Sequence, residues 1–202
     1  MKSRLLKTMI VGVAFVALFA IMVGAAVAAP ATVTITGAVI GTGGGGSNAW
    51  ALPVSGATIT VQGALPTATT AADGTYALIL PFAPLDYAGK AITATHPWYV
   101  SGRKLLGGDA FQVQTFLLTV KGTKFVVTVK SRSKRIRGAK VSCFGKRATT
   151  NKSGVATLSG LQLKPQTKYR VTITKSGYRT ARFKAMSRPG GTVKITKNIR
   201  KR

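Results

Sequence analysis

The 202-residue chain holds 30 Lys and Arg against three Asp and no Glu, which gives a formal net charge of +27. One His, one Cys and no closely spaced carboxylates argue against a metal centre or acid–base catalysis, so we predict a non-catalytic protein without metal or cofactor. A hydrophobic content of 46% with alternating apolar positions favours a folded chain over a disordered one.

The first 28 residues have the pattern of a secretory leader. Lys2, Arg4 and Lys7 precede an apolar run over residues 9–27, and Ala26 and Ala28 are the small residues that a signal peptidase reads. We predict a signal helix over residues 1–28, removed after Ala28, and a secreted or cell-surface, extracytoplasmic protein. The alternative is an uncleaved membrane anchor, because about 19 apolar residues can span a bilayer.

Residues 29–120 form a predicted neutral domain, with three basic and three acidic side chains. Short runs rich in β-branched residues alternate with turn signals, and no helical apolar stripe is present. A glycine-rich loop is predicted at residues 41–48. The predicted strands are residues 32–40, 57–62, 75–80, 91–95 and 111–120.

Residues 121–202 form a second, strongly basic predicted domain, with 24 Lys and Arg and no acid. Its only Cys, Cys143, has apolar neighbours, which predicts a buried thiol. Short strands separated by turns in both domains predict an all-β chain of two tandem small Ig-like β-sandwiches. The predicted strands are residues 125–129, 139–144, 155–158, 168–174, 179–185 and 192–196.

The two predicted domains are copies of one another. Residues 56–61 (GATITV) correspond to residues 138–143 (GAKVSC), and the ATT and DG at 68–70 and 73–74 correspond to the ATT and SG at 148–150 and 153–154. Trp98-Tyr99 corresponds in the same way to Gly177-Tyr178. The offsets differ by only a few residues, which predicts a tandem repeat of one fold.

These repeated motifs resemble the carboxypeptidase regulatory-like domains, which are transthyretin-type and collagen-adhesin B-type sandwiches of secreted bacterial proteins. The resemblance covers nearly all of residues 29–202 and implies seven-stranded modules that serve as stalks, linkers or binding units. Adhesin B-type domains often carry a Lys–Asn isopeptide bond promoted by a buried Glu. This chain has no Glu, and residues 121–202 have no Asp either, so the second domain lacks the acid for that bond.

The basic residues of the second domain follow the strand alternation. Arg182 and Lys184 flank Phe183, and Lys194 lies between Val193 and Ile195, so the cations are predicted to point outward from a folded sandwich. Two denser groups lie at residues 132–137 and 197–202, and a third at 146–147. The predicted anion-binding residues are Arg132, Lys134, Arg135, Arg137, Lys146, Arg147, Arg170, Arg182, Lys184, Lys194, Lys197, Arg200, Lys201 and Arg202.

A basic surface that serves only solubility is the simplest alternative, but solubilising surfaces normally mix both signs. We therefore expect a cell-envelope binding or adhesion module whose second domain binds an anionic polymer or polysaccharide. A structural spacer or assembly subunit that docks on an acidic protein is the second candidate. The third is extracellular nucleic-acid binding through phosphates, without sequence preference. A membrane is a partner only if the leader stays uncleaved, and His96 is predicted to be packed or solvated rather than catalytic.

Overall fold

The structure is a computed structural model that describes residues 32–81 and 84–202. The predicted signal peptide, residues 1–28, lies outside the described residues. The described ranges are nearly all β and form four sheets in tandem sandwiches, which confirms the predicted fold class. No helix within them is long and apolar enough to cross a membrane.

The first sandwich packs two sheets around one core, which includes Ile35, Ile59, Leu80, Ile92 and Phe116. One sheet has the order β2-β1-β5, with β8 and β9 parallel to β1, and the other has the order β4-β3-β6-β7. A single helical turn, α1 (Pro84–Tyr87), precedes β6. The strands are β1 (Val33–Gly43), β2 (Trp50–Pro53), β3 (Thr58–Val61), β4 (Thr67–Thr69), β5 (Thr75–Leu80), β6 (Ala91–Thr95), β7 (Gly102–Leu105), β8 (Phe111–Val113) and β9 (Phe116–Thr119).

The second sandwich has its own core, which includes Phe125, Val141, Leu158 and Ile173. One sheet has the order β11-β10-β14, with β17 parallel to β10, and the other has the order β13-β12-β15-β16. The strands are β10 (Thr123–Ser131), β11 (Lys134–Arg135), β12 (Lys140–Cys143), β13 (Lys146–Thr149), β14 (Val155–Leu161), β15 (Lys168–Thr174), β16 (Ala181–Met186) and β17 (Thr192–Asn198).

Cys143 lies in this second core, as predicted. The thiol is free and buried, and burial raises its pKa to about 11 because the thiolate loses its hydration. The side chain therefore packs as a small apolar group rather than serving as a nucleophile at neutral pH.

Two predictions for the first domain are wrong in detail. The glycine-rich stretch 41–48 is not all loop, because residues 41–43 complete β1 and pair with β2. An added Cβ at Gly41 would lie 2.2 Å from the Tyr99 ring. Glycine at this position therefore allows the Tyr99 ring to pack against β1, and it does not mark a flexible loop. The strand predicted at 111–120 is two strands, β8 and β9, which pair with different parts of β1.

The tandem repeat is confirmed by equivalent hydrogen bonds of a buried threonine. Thr70 Oγ1 accepts from Ala57 N at 2.8 Å and donates to Val54 O at 2.6 Å. Its counterpart, Thr150 Oγ1, accepts from the corresponding alanine N at 2.8 Å and donates to Ile136 O at 2.7 Å. The last threonine of each ATT motif therefore bridges the same two backbone groups in its own sandwich.

Candidate anion-binding site

The chain terminus and the first hairpin of the second sandwich meet at one end, which we call the far end. It is the end at which β10 finishes with Ser131. Ile199 N donates to Lys130 O at 2.8 Å, so the segment after β17 stays beside the end of β10. Arg179 N donates to Arg200 O at 2.8 Å, which ties the same segment to the turn between β15 and β16.

The basic group at residues 132–137 is a tight hairpin rather than an open loop. Lys134 pairs with Ser131 across β10 and β11, and Arg132 occupies the turn with φ of 54°. Arg135 Nη1 donates to Ser153 O at 3.4 Å, while Ile136 is buried beneath the hairpin. The buried isoleucine anchors the hairpin, and the cations on either side of it are exposed.

Ten basic side chains lie at the far end, all exposed except half-buried Lys175. Three of them, Lys152, Lys175 and Arg179, were not predicted because each is an isolated cation in a turn, and only the sheet topology brings those turns together. The ten are Arg132, Lys134, Arg135, Arg137, Lys152, Lys175, Arg179, Arg200, Lys201 and Arg202.

A second concentration of charge covers the outer face of the sheet β13-β12-β15-β16, which we call the cationic face. The register places Arg170 opposite Lys184 and Thr172 opposite Arg182, with Ser142 opposite Thr172 on the other side. The six basic residues of this face, all exposed, are Lys140, Arg147, Lys168, Arg170, Arg182 and Lys184.

The remaining predicted residues lie elsewhere. Lys146 pairs with Cys143 at the β12–β13 turn, at the opposite end of the sheet from the far end. Lys194 points outward from β17 on the other sheet. Lys197 is on the core side of β17, half-buried, with Nζ 5.5 Å from the centre of the Phe183 ring, so its charge faces an aromatic ring.

The end of the second sandwich opposite the far end contacts the first sandwich. Gly44 N and Trp50 Nε1 both donate to Gln162 O, at 3.0 Å and 3.3 Å. Lys121 Nζ donates to Pro97 O at 3.0 Å beside the same junction. The two sandwiches are therefore joined by hydrogen bonds as well as by the chain.

His96 has the packing role that the sequence predicts. Its Nδ1 accepts from Trp98 N at 3.1 Å, and its ring packs edge-on against Trp98 and Tyr99. Burial, and then the nearby Lys121 charge, lower the pKa of His96. In residues 32–81 and 84–202, no three His, Cys, Asp or Glu side chains lie close enough together to hold a metal ion.

Comparisons with known proteins give similarity of fold only. No protein-family model matches the sequence, and no curated protein matches it. The TIE protein of Bacillus anthracis is 15% identical with a TM-score of 0.48, over 85% of this chain and 34% of that one. The minor pilin GBS52 of Streptococcus agalactiae is 12% identical with a TM-score of 0.33, over 84% of this chain and 96% of that one. This chain thus spans about a third of the length of the TIE protein.

Proposed function

We propose that this chain is an exported, non-catalytic cell-envelope binding or adhesion module whose second sandwich binds an anionic polymer. The leader pattern of residues 1–28 supports export to the extracytoplasmic side or the cell surface. The repeated Gly-Ala and ATT motifs, with the late Trp98-Tyr99 and Gly177-Tyr178 at equivalent positions, support assigning both sandwiches to the carboxypeptidase regulatory-like domains.

The observation that carries the proposal is the convergence of ten basic side chains at the far end. They come from four separate parts of the sequence, and residues 121–202 supply no Asp or Glu to neutralise them. Like charges gathered at one end of a domain raise the local electrostatic potential and destabilise the compact fold. A bound polyanion lowers that potential and reduces the repulsion. Arg and Lys together are the donors that bind phosphate and carboxylate groups.

Comparison of the two repeats supports the view that the far end is open for a ligand. In the first sandwich, the connection between Val39 and Val54 includes residues 44–50, which we call the arm and which contact Gln162. The corresponding connection in the second sandwich, between Val129 and Ile136, is the short basic hairpin. The connection that contacts the neighbouring sandwich in the first repeat is therefore replaced in the second repeat by a shorter, basic one.

A structural spacer or assembly subunit is the second candidate, and the junction favours it. The two hydrogen bonds to Gln162 O hold Gly44 and Trp50 of the first sandwich against the second. A fixed junction suits a chain that separates two partners, one of which would be an acidic protein at the far end. Recovery of one stoichiometric acidic protein by the purified chain, without binding to any anionic polymer, would favour this candidate.

The test of the proposed site compares two triple variants with the same loss of charge. Arg132, Lys134 and Arg137 are changed to Gln in one variant, which keeps Arg135 and its bond to Ser153 O. Binding to heparin is measured over a salt series, and we expect the slope of log affinity against log salt to fall by about 2 to 3, because each lost anion contact removes roughly 0.7 to 0.9.

The control variant changes Lys90, Arg103 and Lys104 of the first sandwich to Gln, and its slope should stay close to that of the wild type. Equal slopes for the two variants would mean that binding follows net charge alone, and the proposed site would be wrong. Thermal unfolding followed by circular dichroism checks that both variants stay folded.

A further inference from the structure

We propose that the anionic polymer lies extended along strands β15 and β16 on the cationic face, and that it is a linear phosphodiester chain without bases. This inference rests on the proposed function. It adds the path of the ligand and its chemical class, neither of which follows from the charge of the far end.

The cations of β15 and β16 on this face are regularly spaced. Lys168 and Arg170 are alternate residues of β15, and Arg182 and Lys184 are alternate residues of β16. Alternate side chains of one strand are about 7 Å apart, and directly opposed side chains of antiparallel strands about 5 Å apart. Two adjacent columns of positive charge therefore run along the strands.

The two outer faces of the second sandwich differ in the number of basic residues that they carry. The cationic face carries six basic residues, three of them Arg, whereas the outer face of the sheet formed by β10, β11, β14 and β17 carries four, of which one is Arg: Lys124, Lys130, Arg135 and Lys194. The other outward residues of that second face are Val, Thr, Ser and Asn. The cationic face thus carries more basic residues than the other outer face, and most of the Arg side chains.

The cationic face is continuous with the far end. β15 ends at Thr174, next to Lys175, and Lys140 pairs with Thr174 at the same level of the sheet. Residues 168–174 span roughly 20 Å. A chain that contacts the far end can therefore continue along β15 over several charged groups without leaving positive surface.

The side chains on this face indicate the class of polymer. The aromatic residues of β15 and β16, Tyr169 and Phe183, and Phe144 in the turn after β12 are half-buried and pack against the core. Binding of single-stranded nucleic acid normally uses aromatic rings on which bases stack. Lys and Arg side by side suit phosphate groups, so a backbone of phosphates linked by a small neutral unit fits this face better than a nucleic acid.

The experiment compares two triple variants of the purified full protein. Arg170, Arg182 and Lys184 are changed to Gln on the cationic face, and Lys124, Lys130 and Lys194 are changed to Gln on the opposite face. Both lose three charges. The probes are poly(glycerol phosphate) oligomers of graded length and oligothymidylate of matched charge, with affinities measured by fluorescence anisotropy over a salt series.

We expect the cationic-face variant to lose about 2 units of salt slope and at least tenfold in affinity for poly(glycerol phosphate), while the opposite-face variant changes less than threefold. We also expect wild-type affinity to rise with oligomer length until the oligomer spans the face. Equal losses in the two variants, with binding by the wild type intact, would overturn the inference and leave the proposed function standing.

Three other outcomes separate the remaining possibilities. Tighter binding to oligothymidylate than to poly(glycerol phosphate) at equal charge would overturn the assigned ligand class. Binding of the wild type to heparin but to neither phosphodiester probe would overturn the inference and leave the proposed function standing. Failure to bind heparin as well at low salt would overturn both. Unfolding temperatures of both variants within a few degrees of the wild type confirm that the comparison is between folded proteins.

Discussion

At the scale of single residues, the fold depends on a few buried polar groups whose partners are backbone atoms. Thr150 is 3% exposed, and its hydroxyl bridges Ala139 N and Ile136 O. Ile136 in turn anchors the basic hairpin. The threonine that identifies the repeat in the sequence therefore also positions the cations at the far end.

A pair of threonine substitutions tests this role. Thr150→Val should lower the free energy of unfolding by about 1–3 kcal/mol, because it leaves a buried N–H and a buried carbonyl without their partner. Thr123 is the matched control: it is fully buried, and its Oγ1 makes no hydrogen bond within the described ranges. Thr123→Val should leave stability unchanged or raise it, as measured by urea unfolding. Equal destabilisation of the two variants would contradict this account of the Thr150 hydrogen bonds.

The repeat and the outward cations of β15 and β16 could be predicted from the sequence because motif and alternation are local. Arg170, Arg182 and Lys184 follow a strict two-residue period, and the ATT motif is the same in both halves. Lys175 and Arg179 could not be predicted, since the contact of Arg179 with Arg200 and the place of Lys175 at the same end depend on which strands pair. The contact of Lys197 with the Phe183 ring could not be predicted either, because it depends on which strands lie next to β17.

At the scale of elements, the feature that distinguishes the two sandwiches is the β1–β2 connection. It carries Gly44 and Trp50, whose N–H groups converge on Gln162 O. The glycine-rich sequence indicated a loop but gave no sign of this contact, because the partner lies more than a hundred residues away. The short strands β11 and β13 could not be predicted from apolar alternation, because β11 is Lys-Arg and half of β13 is Lys and Arg.

Neighbouring glycines provide a test of this connection. Gly44 has φ of 74°, and an added Cβ would lie 2.0 Å from Asn48 O, so Gly44→Ala should distort the arm. The expected result is faster solvent exchange of the Trp50 indole proton, measured by NMR, because its bond to Gln162 O is weakened.

Gly45→Ala is the control, because a Cβ at Gly45 meets no atom within 4 Å. Its Trp50 indole proton should exchange as in the wild type, and the Trp98 indole gives an internal reference in every sample. If the Trp50 indole proton exchanged at the same rate in Gly44→Ala and Gly45→Ala, the conformation of the arm would not depend on the backbone geometry at Gly44.

At the scale of the whole molecule, the two sandwiches share a fold and differ in surface chemistry. The first sandwich has a balanced charge, and its outer face presents Ile79, Phe111, Val113 and Leu117, each more than half exposed. The second sandwich carries 24 basic residues and no acidic one in residues 121–202. One repeat therefore has a neutral balance of charge, while the other is strongly cationic, and hydrogen bonds join the two at their junction.

This division of charge has a thermodynamic consequence. Cations that have no carboxylate side chain in their own domain repel one another, and salt or a bound polyanion reduces that repulsion. An anionic ligand is thus expected to bind through the second sandwich, with counterion release as the main driving force. A neutral polymer of the same backbone has no comparable source of affinity.

The most direct measurement is a salt titration of wild-type binding to poly(glycerol phosphate), with a neutral glycan as the comparison polymer. The account predicts no binding to the neutral glycan and a linear fall of log affinity with log salt, with a slope of about −3 or steeper for four or more phosphate contacts. Binding that is independent of salt, or equal for the two polymers, would contradict the proposal that the basic second sandwich is a polyanion-binding surface.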